Sequence, residues 1–219
     1  MGSKETIRTK LPIFVFDFGG VLIKWKDNNP IYDYIADRYG VSRAKLRKEF
    51  DRTLPRLESG DVSMRAFLAS ALSGFGKGVR KGDSPDKLWE LPFAQLVKPR
   101  VGAVKFVQSL RKKGYRVYLF SNTSSPHARY LRKAGWDEQF DGILTSCELG
   151  SCKPSPVAFR RALEKIDAEP SEVAFIDDKE VNVQGAKESG IRWGFRFTTL
   201  AQLKKDVASV MTTTSSSSK

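Results

Sequence analysis

Short apolar runs and helical patterns alternate along most of this chain. Residues 11–16, LPIFVF, form a continuous apolar run with β-branched and aromatic residues, and the turn-prone Gly19-Gly20 follows shortly after. A run of this length predicts a buried strand. The alternating pattern resumes near residue 100. It predicts strands at 115–120, 142–145, 172–176 and 191–195, and helices at 101–113, 126–134, 155–165, 181–189 and 199–210.

Strands that alternate with helices predict right-handed crossovers and a parallel sheet covered on both faces. We therefore predict an α/β protein whose core is Rossmann-like and has three layers. The core is assigned to residues 11–23 and 99–210. The remaining residues, 211–219, read MTTTSSSSK, a low-complexity sequence that predicts a disordered tail.

Residues 24–98 have a different character. Their apolar positions recur at helical spacing, as in 31–39, IYDYIADRY, and Ser42 and Ser63 stand where helix N-caps are expected. We predict that this block is a small all-helical cap inserted into the core.

The composition excludes several classes of protein. No apolar run approaches the roughly 20 residues that span a bilayer, and residues 1–10 lack the apolar segment of a secretory signal. A cytoplasmic protein without a membrane partner is the expectation. The net charge is +13, but the basic residues are spread along the chain without a nucleic-acid motif. A nucleic-acid partner is therefore not expected, whereas a small anionic substrate would be attracted. The sequence leaves the oligomeric state open.

The two cysteines, Cys147 and Cys152, are too few for a disulfide framework or a zinc site. We expect reduced thiols, with a local disulfide as the open alternative.

Polar residues follow three of the predicted strands. Asp17 follows the first strand, Ser121-Asn122 the second, and Asp177-Asp178 the strand that ends at Ile176. Ligands of open parallel sheets bind outside the carboxyl ends of the strands, at the switch point in strand order. These residues are therefore the candidates for the functional site.

The same residues carry a family resemblance. FVFDFGGVL (14–22), FSNT (120–123), CKP (152–154) and FIDDKEVNVQGAKESGI (175–191) resemble the four ordered motifs of the haloacid-dehalogenase-like hydrolase superfamily. The helical block between the first two motifs resembles the branch that bears a small helical cap. The resemblance implies a phosphatase that works through an aspartyl-phosphate intermediate on a small phosphorylated substrate.

The resemblance also implies the roles of individual residues. Asp17 is the nucleophile, because a carboxylate stays ionised at neutral pH and needs no base to attack phosphorus. Ser121, with Asn122 as a helper, binds phosphate oxygens together with backbone amides near 18–19 and 122–123. Lys153 supplies a fixed positive charge to both Asp17 and the phosphate.

The acidic pair implies a cation. Adjacent carboxylates repel each other unless a cation lies nearby, and Mg²⁺ prefers oxygen ligands. By resemblance, Asp17, Asp178 and the backbone carbonyl of Gly19 hold Mg²⁺, with Asp177 as a supporting or weaker partner. Asn182 is expected to orient this loop.

Gly19 departs from the family pattern, in which most phosphatases carry a second aspartate two residues after the nucleophile. That aspartate protonates the leaving group, a contribution of about 10²–10⁴ in rate. DFGGVL, ESGDVS (58–63), FSNTSSPH and CKPSP together resemble a bacterial sugar-phosphatase group that includes alpha-D-glucose-1-phosphatase, in which glycine can occupy this position. A sugar phosphate is therefore one possible substrate. His127 is a candidate substitute acid, although an ordinary role in the following helix is favoured.

Two other functions stay open at this point. A 2-haloacid dehalogenase uses the same nucleophile without Mg²⁺, but it needs a halide-binding arginine soon after the nucleophile, where this chain has Lys24-Trp25-Lys26-Asp27. A catalytically degenerate binding protein would have no need of Asp17, Ser121, Lys153 and the acidic pair together.

Overall fold

Five parallel strands form a single sheet with the first strand at its centre. In the computed structural model, the backbone of residues 11–216 and the side chains of residues 11–212 are described. The sheet order is β3-β2-β1-β4-β5. The strands are β1 (Ile13–Phe16), β2 (Val117–Ser121), β3 (Gly142–Thr145), β4 (Val173–Asp177) and β5 (Trp193–Arg196).

Helices surround this sheet and fill the insertion after β1. Within the described residues they are α1 (Asn29–Tyr39), α2 (Arg43–Glu58), α3 (Met64–Ser73), α4 (Pro85–Leu96), α5 (Val101–Lys112), α6 (Ser125–Lys133), α7 (Ser146–Leu149), α8 (Pro156–Lys165), α9 (Glu180–Glu188) and α10 (Leu200–Ser216).

The residues of β1 show why the core has three layers. Successive side chains of a strand point to opposite faces. Ile13 and Val15 accordingly pack in one apolar cluster with residues of α8 and α9. Phe14 and Phe16 pack in a second cluster with residues of α5 and α10. The predicted α/β fold, with a parallel sheet between two helical layers, is confirmed.

The insertion has its own aromatic core. Tyr32, Phe50, Phe67 and Trp89 come from α1 to α4, one from each helix, and their ring centroids lie 4.8–5.8 Å apart. The predicted N-caps are confirmed: Ser42 and Ser63 accept hydrogen bonds from the amides of residues 45 and 66. The helical character predicted for this block is therefore present.

The two chain segments that join the insertion to the core run side by side. Ile23 and Pro99 form an antiparallel bridge, and the Lys24 amide donates to the Lys98 carbonyl at 3.1 Å. These contacts fall at the boundaries 23/24 and 98/99 predicted from the sequence.

Two elements differ from the sequence prediction. The short helix α7 was not predicted, and α10 continues to Ser216 although disorder was predicted from residue 211. Val207 and Val210 are buried, so they anchor the end of α10 on the core, and the helix continues from there. Residues 1–10 and 217–219 lie outside the described residues, so the predictions made for them stay predictions.

No helix among the described residues is long and apolar enough to cross a membrane.

Candidate active site

Lys153 joins the carboxyl ends of three neighbouring strands. Its ammonium group donates to Asp17 Oδ1 at 2.7 Å, to Asp177 Oδ2 at 2.8 Å and to the Phe120 carbonyl at 2.7 Å. An ammonium group has three donors, and here the protein occupies all of them. Lys153 therefore acts on a bound anion through its charge, and a direct phosphate contact requires it to exchange one of these partners.

Asn122 holds the loop that carries Lys153. Its side-chain amide donates to the Lys153 carbonyl at 2.8 Å, and its Oδ1 accepts from the Lys153 amide at 2.8 Å. The sequence interpretation gave Asn122 a phosphate contact. Both polar atoms of the side chain are instead engaged with the backbone of Lys153, because the two loops run close together.

Ser121 and Thr123 differ in what they offer a ligand. The Ser121 hydroxyl makes only a long hydrogen bond of 3.4 Å, to the Asn122 carbonyl, and it lines the cavity. The Thr123 amide, which we expected to be a phosphate donor, already donates to Ser146 Oγ at 2.8 Å. Ser121 is therefore the available donor at the end of β2.

The three aspartates lie together, but they are not equivalent. One carboxylate oxygen from each of Asp17, Asp177 and Asp178 lies within 4.8 Å of the others. Asp177 accepts hydrogen bonds from Lys153, from Asn182 at 3.0 Å and from the Lys179 amide at 2.9 Å. Asp178 Oδ1 is buried and has no hydrogen-bond partner among the described residues.

This difference indicates where a cation fits. A buried carboxylate oxygen without a partner is costly unless a positive group satisfies it. Asp178 Oδ1, with Asp17 close by, therefore suits an oxygen-preferring cation such as Mg²⁺. Asp177 already has protein donors, one of them the Asn182 side chain, so the supporting position expected for Asp177 and the orienting role expected for Asn182 stay predictions.

Burial dominates the titration of this cluster. It raises the pKa of Asp17 to about 7, against the opposing positive charge of Lys153. Burial and the negative charge of Asp177 likewise raise the pKa of Asp178. Burial alone would lower the pKa of Lys153, but the charges of Asp17 and Asp177 outweigh it and raise this pKa. Lys153 therefore stays charged, and a cation at the cluster would favour ionised carboxylates.

The adjacent glycines Gly19 and Gly20 are constrained differently. Gly20 has φ +80°, and a Cβ built on it would lie 2.1 Å from Asp178 Oδ2. Gly19 does not have a positive φ, and its Cβ would lie 3.4 Å from the Trp25 side chain. The backbone therefore requires glycine at Gly20 and not at Gly19, but Trp25 borders the space where a longer side chain at Gly19 would extend.

His127 packs between the core and the insertion. Its ring stacks on Phe93 with the centroids 3.7 Å apart, and its Nε2 lies 3.2 Å from the Trp89 carbonyl. Burial lowers the pKa of His127 to about 3. The favoured interpretation of His127 as a structural residue agrees with this packing, because a neutral ring cannot donate the missing proton as an imidazolium.

The helical insertion contributes polar walls to the site. A cavity of about 410 Å³ is bordered by Asp17, Gly19, Ser121, Lys153 and Asp178 on the core side. On the insertion side it is bordered by Trp25, Asn28, Asn29, Tyr32, Asp51 and Glu58, and Lys179 of the core also lines it. The sequence analysis gave no role to Tyr32, Asp51, Glu58 or Lys179. Of these four, only Glu58 lies in a motif that the sequence analysis singled out, as the first residue of ESGDVS.

Both cysteines are free thiols, as expected. Burial raises the pKa of Cys152 to about 11, so this thiol stays protonated at neutral pH.

Comparison with known proteins decides the family. The family model of the haloacid dehalogenase-like hydrolases matches residues 11–190, which is most of the chain. This chain belongs to the haloacid dehalogenase-like hydrolases. The family predicted from the four motifs is thereby confirmed.

Named relatives of this hydrolase include phosphatases. The sesquiterpene phosphatase astK of Aspergillus oryzae is 26% identical over 181 residues, covering 81% of this chain and 85% of the relative. The D-ribitol-5-phosphate phosphatase of Bacteroides thetaiotaomicron is 29% identical over 187 residues, covering 80% and 87%. These relatives confirm the prediction of a phosphatase. The finer resemblance to the glucose-1-phosphatase group stays a prediction.

Solved structures agree with the fold. A family enzyme from Bacteroides thetaiotaomicron, crystallised with magnesium and inorganic phosphate, has a TM-score of 0.70 and 25% identity, covering 86% of this chain and 95% of its own. The L-2-haloacid dehalogenase of Xanthobacter autotrophicus has a TM-score of 0.56 and 20% identity, covering 92% and 84%, which shows a common fold alone.

The two glycines give a matched pair of substitutions. We expect Gly20→Ala to lower the melting temperature of the hydrolase and weaken Mg²⁺ binding, because it displaces Asp178. The left-handed backbone alone costs about 1–2 kcal/mol, and each kcal/mol lowers the melting temperature by roughly 2–4 °C in a domain of this size. Gly19→Ala should change the melting temperature by less. Thermal melts with and without Mg²⁺ measure both, and equal effects would contradict the assigned backbone geometry.

His127 should not titrate in the neutral range. It is the one histidine of the sequence, so its ring protons can be followed by NMR without assignment ambiguity. Since its pKa is lowered to about 3, we expect constant ring-proton shifts between pH 5 and 8. In the same titration, unfolded protein in denaturant should show the ordinary midpoint of about 6.5. A midpoint near 6.5 in the folded protein would indicate a solvent-exposed ring and contradict the buried position of His127.

Proposed function

We propose that this hydrolase is a Mg²⁺-dependent phosphatase that forms an aspartyl-phosphate on Asp17. The observation that carries this proposal is the buried oxygen of Asp178, which has no hydrogen-bond partner among the described residues and lies beside the carboxylate of Asp17. Asp17, Asp178 and Gly19 would hold Mg²⁺. When bound, the ion neutralises negative charge on the transferring phosphoryl group.

The residues of the chain divide the work of phosphoryl transfer. A carboxylate oxygen of Asp17 attacks phosphorus, and the bond from phosphorus to the leaving oxygen breaks. The Ser121 hydroxyl donates to a phosphoryl oxygen, and Lys153 adds positive charge while holding Asp17 at 2.7 Å. Asn122 and Asp177 position Lys153, from its backbone and from its ammonium group respectively. Water then attacks the same phosphorus atom, which releases phosphate and restores Asp17.

The insertion side of the cavity supports a small hydroxylated substrate. Asn28, Asn29, Asp51 and Glu58 offer amide and carboxylate groups there. The Tyr32 hydroxyl is buried without a hydrogen-bond partner among the described residues. Burial and the charge of Asp51 raise the pKa of Tyr32, so the hydroxyl remains a donor. A polyol or sugar phosphate satisfies such groups, whereas a terpenyl chain would leave them unpaired.

The alternatives fit the cavity less well. No arginine lines it among the described residues, and a dehalogenase needs one for the halide. A non-catalytic binding protein would have no need of Asp17, the weakly engaged Ser121 hydroxyl and the Asp178 oxygen left without a described partner, all in one cavity.

The first prediction of this proposal concerns the nucleophile. Purified protein should release phosphate from a small phosphate ester when Mg²⁺ is present and stop when a chelator is added. Asp17→Asn should reduce kcat on the order of 10³-fold or more, because an amide is a very poor nucleophile. Phosphate release is measured beside circular dichroism, which checks the fold. Undiminished activity of a folded Asp17→Asn protein would refute the nucleophile.

The second prediction concerns the substrate class. We expect kcat/KM for ribitol 5-phosphate or glucose 1-phosphate to exceed that for a sesquiterpenyl phosphate by about tenfold or more. Tyr32→Phe removes one hydroxyl from the cavity wall. It should reduce the free-energy difference that corresponds to this kcat/KM ratio by about 1 kcal/mol. Phe67→Leu, in the same aromatic core but away from the cavity wall, is the stability control. A preference for the terpenyl ester would show that the apolar residues of the cavity dominate.

A further inference from the structure

The proposed phosphatase reaction needs a proton at the leaving oxygen, and motif one does not supply it. Gly19 has no side chain, and a Cβ there would already lie 3.4 Å from Trp25. An alkoxide leaving group is too basic to depart quickly without a proton. The titratable side chains that border the cavity are therefore the candidate donors.

Two other proton carriers of the cavity are unsuitable. His127 is neutral because burial lowers its pKa to about 3, and its Nε2 is occupied by the Trp89 carbonyl. The pKa of Tyr32 is raised, which makes its hydroxyl a hydrogen-bond donor and a weak acid.

Glu58 meets the geometric requirements. It is the last residue of α2, and its side chain lines the same cavity as Asp17 from the side of the insertion. Its carboxyl group makes no hydrogen bond to another described residue. A carboxyl group without a hydrogen bond to another described residue therefore borders the same cavity as Asp17.

The backbone of Glu58 is fixed to the core. The buried Ser146 hydroxyl donates to the Glu58 carbonyl at 2.6 Å, and Ser146 Oγ accepts from the Thr123 amide at 2.8 Å. Gly60 packs so closely on the core that a Cβ there would lie 2.6 Å from the Cys147 carbonyl. Glu58 is thus held at a fixed position relative to the end of β2, which carries Ser121.

We propose that Glu58, delivered by the helical insertion, is the general acid and base that replaces the aspartate missing at position 19. This inference rests on the proposed phosphatase function and deepens it. It assigns a catalytic residue to an element that the family motifs leave without chemistry.

The electrostatic environment agrees with this role. Burial raises the pKa of Glu58 to about 7, with Lys179 and then Lys153 acting in the opposite direction and Asp17 adding to the rise. A general acid–base group is most effective when its pKa is near the working pH. Further titratable groups that interact with Glu58 are Tyr32 on α1 and Cys152 in the loop before Lys153.

The two half-reactions balance with Glu58 in both. In the first, Asp17 forms a bond to phosphorus, the ester P–O bond breaks, and the leaving oxygen takes the proton of the Glu58 carboxyl group to become an alcohol. In the second, the Glu58 carboxylate takes a proton from water as the water oxygen bonds to phosphorus. The bond from phosphorus to Asp17 breaks, and Glu58 is again protonated.

The dependence of rate on the leaving group tests the proposal. Glu58→Gln should lower kcat/KM, which reports the step in which the leaving group departs, by about 10²-fold for an alkyl phosphate and by less than about tenfold for an activated aryl phosphate. Asp61→Asn is the matched control, because Asp61 is an exposed carboxylate in the same turn and does not line the cavity. Glu58→Asp should recover part of the alkyl phosphate activity. The fall of alkyl phosphate kcat/KM at high pH should disappear in Glu58→Gln.

Each other outcome overturns the proposal. Equal losses of kcat/KM with both esters would make Glu58 a structural or binding residue. An unchanged rate in Glu58→Gln combined with a loss in Asp51→Asn would move the role to Asp51. If the wild-type protein hydrolyses aryl and alkyl phosphates equally fast, and the Glu58→Gln variant does the same, Glu58 is not the general acid. The proposed phosphatase function would stand in that case. A wild-type protein that releases no phosphate from any ester refutes both.

Discussion

The site depends on one buried ammonium group. Lys153 joins the carboxyl ends of β1, β2 and β4 through Asp17, the Phe120 carbonyl and Asp177. Without it, two buried carboxylates would face each other, and breaking such a buried pair costs about 3–5 kcal/mol. The loop that brings Lys153 here is itself held by Asn122. The position of Asp17 and the position of the loop that carries Lys153 are therefore set by connected contacts.

Much of this arrangement could be predicted from the order of residues along the chain. β1, β2 and β4 are apolar runs followed at once by polar residues, and parallel strands bring those residues to one edge of the sheet. This reasoning is enough to place Asp17, Ser121 and the acidic pair at one edge of the sheet. The actual partners of Asn122 and Glu58 could not be inferred this way, because they lie 31 and 88 residues away in the chain. Only the folded structure shows which loop each one meets.

The pair Gly19-Gly20 shows how one sequence feature combines two constraints. The sequence predicts a turn at both glycines. Gly19 also stands where most phosphatases of the family carry an aspartate that acts as the general acid. In the structure, Gly20 makes room for Asp178, since a Cβ at this position would overlap a carboxylate oxygen. Gly19 has ordinary backbone angles, and its neighbour is the indole of Trp25. The absence of a side chain at Gly19 thus leaves room beside the indole of Trp25, which lines the cavity, whereas the absence of a side chain at Gly20 leaves room for the carboxylate of Asp178.

A proton donor on the insertion has a consequence that a donor on β1 lacks. An aspartate two residues after the nucleophile stays at phosphorus whether or not the insertion covers the site. Glu58 is in place only while α2 and the turn after it rest on Ser146 and Cys147. In the proposed mechanism, chemistry on a poor leaving group therefore needs the insertion docked on the core, where Glu58 can donate its proton. Tyr32 and Asp51 line the cavity from the same insertion, so the proposed substrate recognition and the proposed proton transfer depend on the same docking of the insertion on the core.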